Sequence, residues 1–481
     1  MLKSMTHFNK LKRIAHKYYQ KGKWEKSLHT IFAASGFMYT VNTVQTDADL
    51  EELLSKIAMK ILPKLPVAET IPKTVIYYDS FGNITRGLNY IYLEALLSLG
   101  YHVKYVTFEG NRNSFLSNAI DKMGLIDVFW IHGNSYQEQM TSLLTYVCSS
   151  HAENVFLCLK PDDVVAVGVF SYLPGCIKRY MINLTDHAFW LGRSISDCVI
   201  NFREFGCQVC AQKRGFSDNS IAYIPYYPHE IITEFQGFSF KDNSLPLIFS
   251  GGALYKTESD DNKYYLLLES ILNNHNVNFI YCGNGDDCKI RKIQAKSPGR
   301  FIYEAERYDF YEIMKRCTLY LSTYPYNGGL MTQYALLAGK IPITLSCPDI
   351  EPELTVNHFN SFWNFTTFET CLEEIDKLLK NKEYRHQKEQ LLSGFLLTKD
   401  QFSLELNHLL TSGESFRSYK HEEAIFDGFQ RLPVEYYVGT KYCRLFFRRG
   451  GFHLFRYFPA KYLVGLCTVV TEKFKFWRNY R

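Results

Sequence analysis

The residues with the clearest chemical content lie between Tyr324 and Gly339, in the stretch YPYNGGLMTQYALLAG. A short apolar run leads into Asn327-Gly328-Gly329, and a helical pattern follows. Glycines at such a turn let the backbone come close to a ligand. The unsatisfied N–H groups and the dipole of the helix they open attract an anion, the dipole contributing about 0.3–2 kcal/mol. Thr332 and Gln333 fall in the first turn, where they can donate to phosphate or to sugar hydroxyls. Two more glycine turns follow apolar runs in the same half of the chain. Ser250-Gly251-Gly252 is succeeded by Tyr255 and Lys256, a cation placed to neutralise a diphosphate, and Cys282-Gly283-Asn284-Gly285 follows NFIY. Any one of these is also what an ordinary strand-to-helix turn looks like. Three in one half point to phosphate handling. None is a G-x-x-x-x-G-K-[ST] loop or a complete G-x-G-x-x-G fingerprint.

The other half supplies candidates for acid–base work. YYDSFGNITRG puts Asp79, Ser80 and Arg86 on the loop after a strand-like run, FWIHG puts His132 at a strand end, and NLTDHAFWLG does the same for Asp186 and His187. A positioned histidine or carboxylate acting as general base contributes about 10²–10⁴-fold in rate. The plainer alternative for each is a structural histidine or a helix-capping aspartate. Metal ligation is not expected: Cys207-x-x-Cys210 has no second ligand pair at zinc spacing, and Asp286-Asp287 and Asp47-x-Asp49 lack the rest of a site.

These side chains need a scaffold. From Thr74 onward, apolar β-branched and aromatic runs (TVIYYDS, YHVKYVTF, LIDVFWIHG, NVFLCLK, YMINLT, DCVINF) alternate with helical segments, and the alternation restarts at LPLIFSGG and continues through KIPITLS. Strands alternating with helices predict βαβ units, and continuous apolar strands predict parallel sheets covered on both faces. The fold class expected is α/β, two doubly wound lobes, with ligands in the cleft at the carboxyl ends of the strands. The expected boundaries are a helical region over 1–66, a first lobe over 73–224, a second over 245–410 and a tail over 439–481. The Pro- and aromatic-rich stretch 222–247 reads as the connection between lobes. Within the helical region the spacing predicts a hairpin around Gly22 and a helix capped by Asp47.

The net charge of +5 over 481 residues hides a division. Residues 1–30 carry eight Lys/Arg and one Glu, and residues 439–481 carry ten Lys/Arg and one Glu, so the body between holds −11. Hydrophobic content of 46% excludes a disordered chain. Thirteen scattered cysteines argue for a reducing compartment. Neither a secretory leader nor a membrane span is expected, because no apolar run has the length. The tail interleaves its cations with twelve aromatics, among them Tyr442, Phe446, Phe458, Tyr462, Trp477 and Tyr480. Such a basic, aromatic, amphipathic segment suits an anionic membrane surface, with packing on the body and single-stranded nucleic acid as alternatives. The acidic body opposes nucleic acid. The expected location is cytoplasmic and peripheral, on the inner face of the cell membrane.

Taken together, IYYDSFGNITRGLNYIYLEAL, NLTDHAFWLGRSISDCVINFREFG, RYDFYEIMKRC and YPYNGGLMTQYALLAGKIPI resemble bacterial glycosyltransferases of the GT-B fold, of the kind encoded with capsule and O-antigen assembly. The resemblance covers most of residues 15–410. It implies transfer of a sugar from a nucleotide sugar, of UDP type, to a hydroxyl of a lipid-linked or growing cell-surface polysaccharide. It further implies that Ser250, Gly251, Gly252 and Lys256 lie near the phosphates, and Gly283 and the segment Tyr303–Tyr308 near the base and ribose. Asn327, Gly328, Gly329, Thr332 and Gln333 would contact the diphosphate and donor sugar. Many members need no metal, and no cofactor beyond the nucleotide sugar is implied. Retaining members often carry a pair of glutamates with seven residues between them; Gln333 and Tyr334 stand where the second belongs, so an inverting mechanism is preferred, with His187 or Asp79 as base and Asp186 beside it. A non-catalytic scaffold of the same fold and a sugar-nucleotide epimerase are the alternatives.

Overall fold

The structure is a computed structural model. It describes the backbone of residues 2–84, 88–173, 175, 177–229, 232–347, 363–421, 443–444, 446–447 and 451–479, and their side chains apart from 2–4, 393–394 and 472–479. Arg86, Tyr442 and Tyr480 lie outside the described residues, as do the side chains of Phe474, Phe476 and Trp477.

Strands that are apolar on both faces require cover on both sides, and the chain provides it twice. The first sheet contains β1 (Ile71–Asp79), β2 (His102–Phe108), β3 (Asp127–Ile131), β4 (Ala152–Cys158), β5 (Lys178–Ile182), β6 (Cys198–Asn201) and β7 (Ile221–Tyr223). All its pairings are parallel and its order is 3-2-1-4-5-6-7. The second contains β8 (Leu247–Gly251), β9 (Asn278–Cys282), β10 (Phe301–Glu304), β11 (Leu319–Leu321), β12 (Ile341–Leu345) and β13 (Asn364–Phe365), again all parallel, in the order 10-9-8-11-12-13. Strand order reverses direction between β1 and β4 and between β8 and β11. In doubly wound sheets ligands bind at the carboxyl ends of strands at such a reversal.

The chain divides into two compact units, Met1–Ile224 with Ser403–Arg481, and Pro225–Phe402. Residues 1–66 do not form a body of their own. The Leu2–Gln20 and Trp24–Val41 helices form the expected hairpin, turning at Gly22 with φ +66°, and the Ala48–Ile61 helix follows. Asp47 caps that helix, its Oδ1 accepting from Leu50 N at 2.9 Å. Phe8, Leu28, Leu54 and Ile57 from these helices share one core with Tyr78, Val155 and Val167 of the first sheet and its cover. The tail enters the same core: Phe446, Leu454, Phe458 and Tyr462 are buried in it. A Cβ on Gly465 would collide with the Cys443 carbonyl and the Phe447 side chain, so the glycine lets the Pro459–Asn479 helix cross closely over those two residues. The basic tail therefore packs on the body through its proximal part. Among the described residues no helix is long and apolar enough to cross a membrane.

In the second unit the stretch read from sequence as a connection is part of the packing. Phe240 is buried, and Phe235 and Phe238 pack beside it against Phe249, Ile280 and Tyr320 of the sheet. Two short strands, β7 and β13, were not expected. β7 has three residues and is followed by Ile224-Pro225, and β13 has two, so neither makes a run long enough to read.

Candidate functional site

At the reversal point of the second sheet, the chain leaves β8 through Gly251-Gly252 and leaves β11 through Ser322-Thr323. These exits converge. A Cβ built on Gly252 would lie 3.6 Å from Thr323 Cγ2 and 3.7 Å from Lys256 Cδ. Tyr326 N donates to Lys256 O at 3.3 Å, tying the β8 exit to the loop that enters the next helix. Thr323 Oγ1 closes that loop by donating to Tyr326 O at 2.6 Å. Gly328 N donates to Ser322 Oγ at 3.3 Å, and the Gly329–Leu337 helix then begins with no side chain capping it. Its first-turn N–H groups are thus offered at the carboxyl edge of the sheet, with the dipole behind them.

Lys256 is the charge at this edge. It is half-buried, and no carboxylate among the described residues lies within ion-pair distance of it. Burial lowers its pKa from the ordinary lysine value, and nothing opposes that shift. An ammonium held this way is a standing demand for an anion. Gln333 is 5% exposed; its Nε2 donates to Tyr226 O at 3.4 Å, and its Oε1 is buried with no hydrogen-bond partner among the described residues. Thr332 is turned inward, its Oγ1 donating to Gly328 O at 3.2 Å, so its proton serves the helix end. Asn327 is buried beside it, 7% exposed.

The remaining glycines have a local cause. A Cβ on Gly283 would collide with the Gly252 carbonyl oxygen, and one on Gly285, at φ +151°, would come within 2.7 Å of Leu254 Cβ. Gly252 N in turn donates to Cys282 O at 2.9 Å. The β8 and β9 exits pack backbone against backbone, and this close approach is what requires Gly283. Ser250 is wholly buried, its Oγ 2.5 Å from Tyr264 Oη, and so stiffens the strand end from within. Tyr303, at the end of β10, donates to Gly283 O at 3.2 Å with Arg291 5.3 Å from its ring centre. Downstream, Arg307 is locked to Asp309 by two bonds of 2.7 and 2.6 Å, while Tyr308 is left 61% exposed at the same edge.

The first unit presents a different edge. His187 sits on the loop leaving β5, its side chain one-third exposed at 33%, with Nδ1 3.3 Å from Asp186 Oδ1. Asp186 is buried and receives a two-pronged bond from Arg203, Nε to Oδ2 at 2.5 Å and Nη2 to Oδ1 at 2.6 Å. Burial pushes that carboxyl up, but the adjacent Arg203 charge and its hydrogen bonds outweigh it and hold Asp186 well below the usual carboxylate range. An ionised carboxylate only accepts, so this bond is made by the tautomer that carries its proton on Nδ1.

The loop is fastened from several sides. Asn42, in the left-handed region at φ 50°, donates from Nδ2 to His187 O at 2.7 Å and accepts Phe189 N at 2.9 Å. Arg214 is buried and bonds Asp186 O and Ala188 O at 3.0 and 2.7 Å. Glu51 accepts the N–H groups of Gly192, Arg193 and Ser194 at 2.8, 3.0 and 2.6 Å. Asn183, from the start of the loop, bridges Asn201 and Trp190 at 2.7 and 3.2 Å. Arg203, Arg214, Asn42 and Glu51 carry no local motif, and sequence reasoning assigned them nothing.

Asp79 lies at the end of β1, at the reversal point of the first sheet, but faces inward. Its carboxylate accepts Phe81 N at 2.9 Å, Asn83 N at 3.0 Å and Tyr105 Oη at 2.8 Å, and burial raises its pKa against those bonds. As placed, it organises its own loop. Ser80 Oγ accepts Lys160 N at 2.5 Å, joining the β1 and β4 exits. His132 bonds Ser142 Oγ at 3.2 Å beside the outermost strand, away from the His187 loop. Cys207 and Cys210 are free, buried thiols, and no cluster of three or more His, Cys, Asp or Glu suited to a metal occurs among the described residues.

Neither a family model nor a curated protein matches the sequence. Among solved structures, the chain is similar to an O-GlcNAc transferase mutant from Thermobaculum terrenum at 12% identity, covering 84% of this chain and 83% of that one with a TM-score of 0.50. It is also similar to a glycosyltransferase from Rickettsia africae at 10% identity, covering 70% of this chain and 98% of that one with a TM-score of 0.52. At such identities the likeness is one of fold. The two parallel-sheet α/β lobes are of the GT-B type, the fold class read from the sequence.

Proposed function

We propose that this chain is a glycosyltransferase that moves a sugar from a nucleotide sugar, of UDP type, to a hydroxyl of a lipid-linked or growing cell-surface polysaccharide. The observation that carries the reading is the second unit's reversal-point edge: a half-buried Lys256 without a carboxylate, next to an uncapped helix N-terminus. A leaving diphosphate answers both. The fold it shares with a glycosyltransferase and an O-GlcNAc transferase supports the same class. The acceptor class proposed puts the enzyme at the cytoplasmic face of an anionic membrane.

In this reading His187 Nε2 removes the proton from the acceptor hydroxyl. The oxygen attacks the anomeric carbon as the bond from that carbon to the diphosphate oxygen breaks, inverting the centre. The departing nucleoside diphosphate keeps the electron pair, its charge met by Lys256 and the first-turn N–H groups of the Gly329–Leu337 helix. Asp186 and Arg203 act through His187 as positioning residues. Tyr303 and the exposed Tyr308 flank the base and ribose.

The test is turnover of a panel of nucleotide sugars with polysaccharide and lipid-linked acceptors. Acceptor-dependent release of nucleoside diphosphate is expected from at least one donor. Conversion of the donor without acceptor would replace the reading with epimerase chemistry, and no binding of any nucleotide sugar would remove it.

A further inference from the structure

Six cations on the N-terminal hairpin are exposed and lack an acidic partner. Among the described residues, no carboxylate lies within ion-pair distance of Lys10, Arg13, Lys17, Lys21, Lys23 or Lys26. Lys12, on the same helix, is by contrast paired with Asp47 and Asp49 at 2.8 and 3.0 Å. Lys10, Arg13 and Lys17 recur at spacings of three and four, so they line one exposed stripe, turned away from the buried Phe8, Leu11 and Ala15.

The tail joins this stripe. Lys10 Nζ donates to Tyr457 O at 3.1 Å and stands 4.5 Å from the centre of the Phe458 ring. Lys17 Nζ stands 5.9 Å from the Tyr457 ring. Before and after Tyr457 and Phe458 in sequence the tail exposes apolar groups. Phe452 is 81% exposed, and the Pro459–Asn479 helix turns Leu463, Leu466 and Val470 outward at 52%, 42% and 42%, while Tyr462 is buried. Unpaired cations on a helix that packs against a segment carrying outward apolar side chains match the charge and depth profile of an anionic bilayer: headgroup phosphates meet the cations and the apolar side chains enter the acyl boundary. A nucleic acid would satisfy the cations and leave the aliphatic stripe in water.

We propose that the N-terminal helix and the tail together form one docking surface for an anionic phospholipid bilayer, rather than the tail acting as a free anchor. The choice of partner rests on a membrane-borne acceptor, but the surface is measured without turnover. The experiment is co-sedimentation of the full chain with phosphatidylcholine vesicles, with and without phosphatidylglycerol. Binding is expected only with phosphatidylglycerol, weakening as salt shortens the screening length. Arg13→Gln/Lys17→Gln/Lys21→Gln, with Lys10 kept because it holds Tyr457, is expected to weaken binding on the order of 100-fold, about fivefold per cation. Leu463→Ser/Leu466→Ser/Val470→Ser is expected to abolish the part of the binding that survives high salt. Lys382→Gln, in the second unit, is expected to bind as the parent does.

Equal binding to pure phosphatidylcholine, or unchanged binding by the folded triple-Gln chain, would overturn the proposal. So would tighter binding to a single-stranded oligonucleotide than to vesicles in the same salt. Turnover with a soluble acceptor, read on the same proteins, separates the two claims. Vesicle binding without turnover removes the transferase reading alone, and turnover without vesicle binding removes the surface alone.

Discussion

The first unit's His187 loop and the second unit's β8 and β11 exits have the same topological origin, the carboxyl edge of a doubly wound parallel sheet, and opposite electrostatic states. Around His187 the charges are largely answered from within: Asp186 by Arg203, Glu51 by three backbone N–H groups, Arg214 by two carbonyls, with its Nε alone lacking a partner among the described residues. Around Lys256 they are not: the ammonium has lost water without gaining a carboxylate, the helix is uncapped, and Gln333 Oε1 is buried without a partner among the described residues. A satisfied network holds one side chain still. An unsatisfied one keeps its interaction free energy for a ligand. In the proposed reaction the first edge orients and the second binds.

The two edges should separate most sharply at His187. His187→Ala is expected to slow transfer by about 10²–10⁴-fold while leaving UDP affinity unchanged. Steady-state kinetics beside calorimetric titration separate the two, and equal loss of both would mean the edges are not divided in this way. Arg203→Met leaves Asp186 buried and unpaired, at a cost of about 3–5 kcal/mol to the first unit. Urea unfolding should show it in one transition only. Because Asp186 is held below the usual carboxylate range, its stabilising contribution is complete above that range and is lost progressively as the pH falls from it to the depressed value. The gap between parent and Arg203→Met should therefore be widest near neutrality and narrow toward acid, where the unpaired carboxyl protonates.

Gly283→Ala tests the second edge as a packed pair of turns. Forcing the β8 and β9 exits apart is expected to cost about 1–3 kcal/mol and to weaken UDP binding with it. Loss of stability with full UDP affinity would show that those turns are structural only. Thr332→Val removes the bond to the Gly328 carbonyl and should cost about 0.5–1.5 kcal/mol, read as a small drop in melting temperature.

What could be read in advance followed from how local its cause is. Long apolar runs such as TVIYYDS became strands in their expected places, and Asp47 became a helix cap, because each needs only its neighbours. The glycine turns were legible as turns, but not the reason for Gly283, which exists only once β8 and β9 pair. Arg203 lies 17 residues from Asp186 and meets it because β5 and β6 are adjacent. Asn42 and Glu51 reach the His187 loop across more than 140 residues. The Pro- and aromatic-rich stretch read as a connection because its phenylalanines have no strand or helix period, although Phe240 is core. The tail's charge was plain in the sequence, whereas its division into an inward Tyr462 and an outward Leu463 depended on the phase of one helix.

Whether the second unit's edge holds the donor diphosphate is decided by UDP titration of the parent and of Lys256→Met, with melting temperatures measured alongside. Lys256→Met is expected to bind UDP about 10–100-fold more weakly, the loss of one charge-assisted bond. The free protein should melt no lower, because a desolvated, unpaired charge has been removed. In the parent, a bound diphosphate opposes the lowering of the Lys256 pKa, so binding should take up a proton and weaken as pH rises through that pKa. UDP affinity equal in the two proteins, or a melting temperature that falls sharply in Lys256→Met without UDP, would contradict the account.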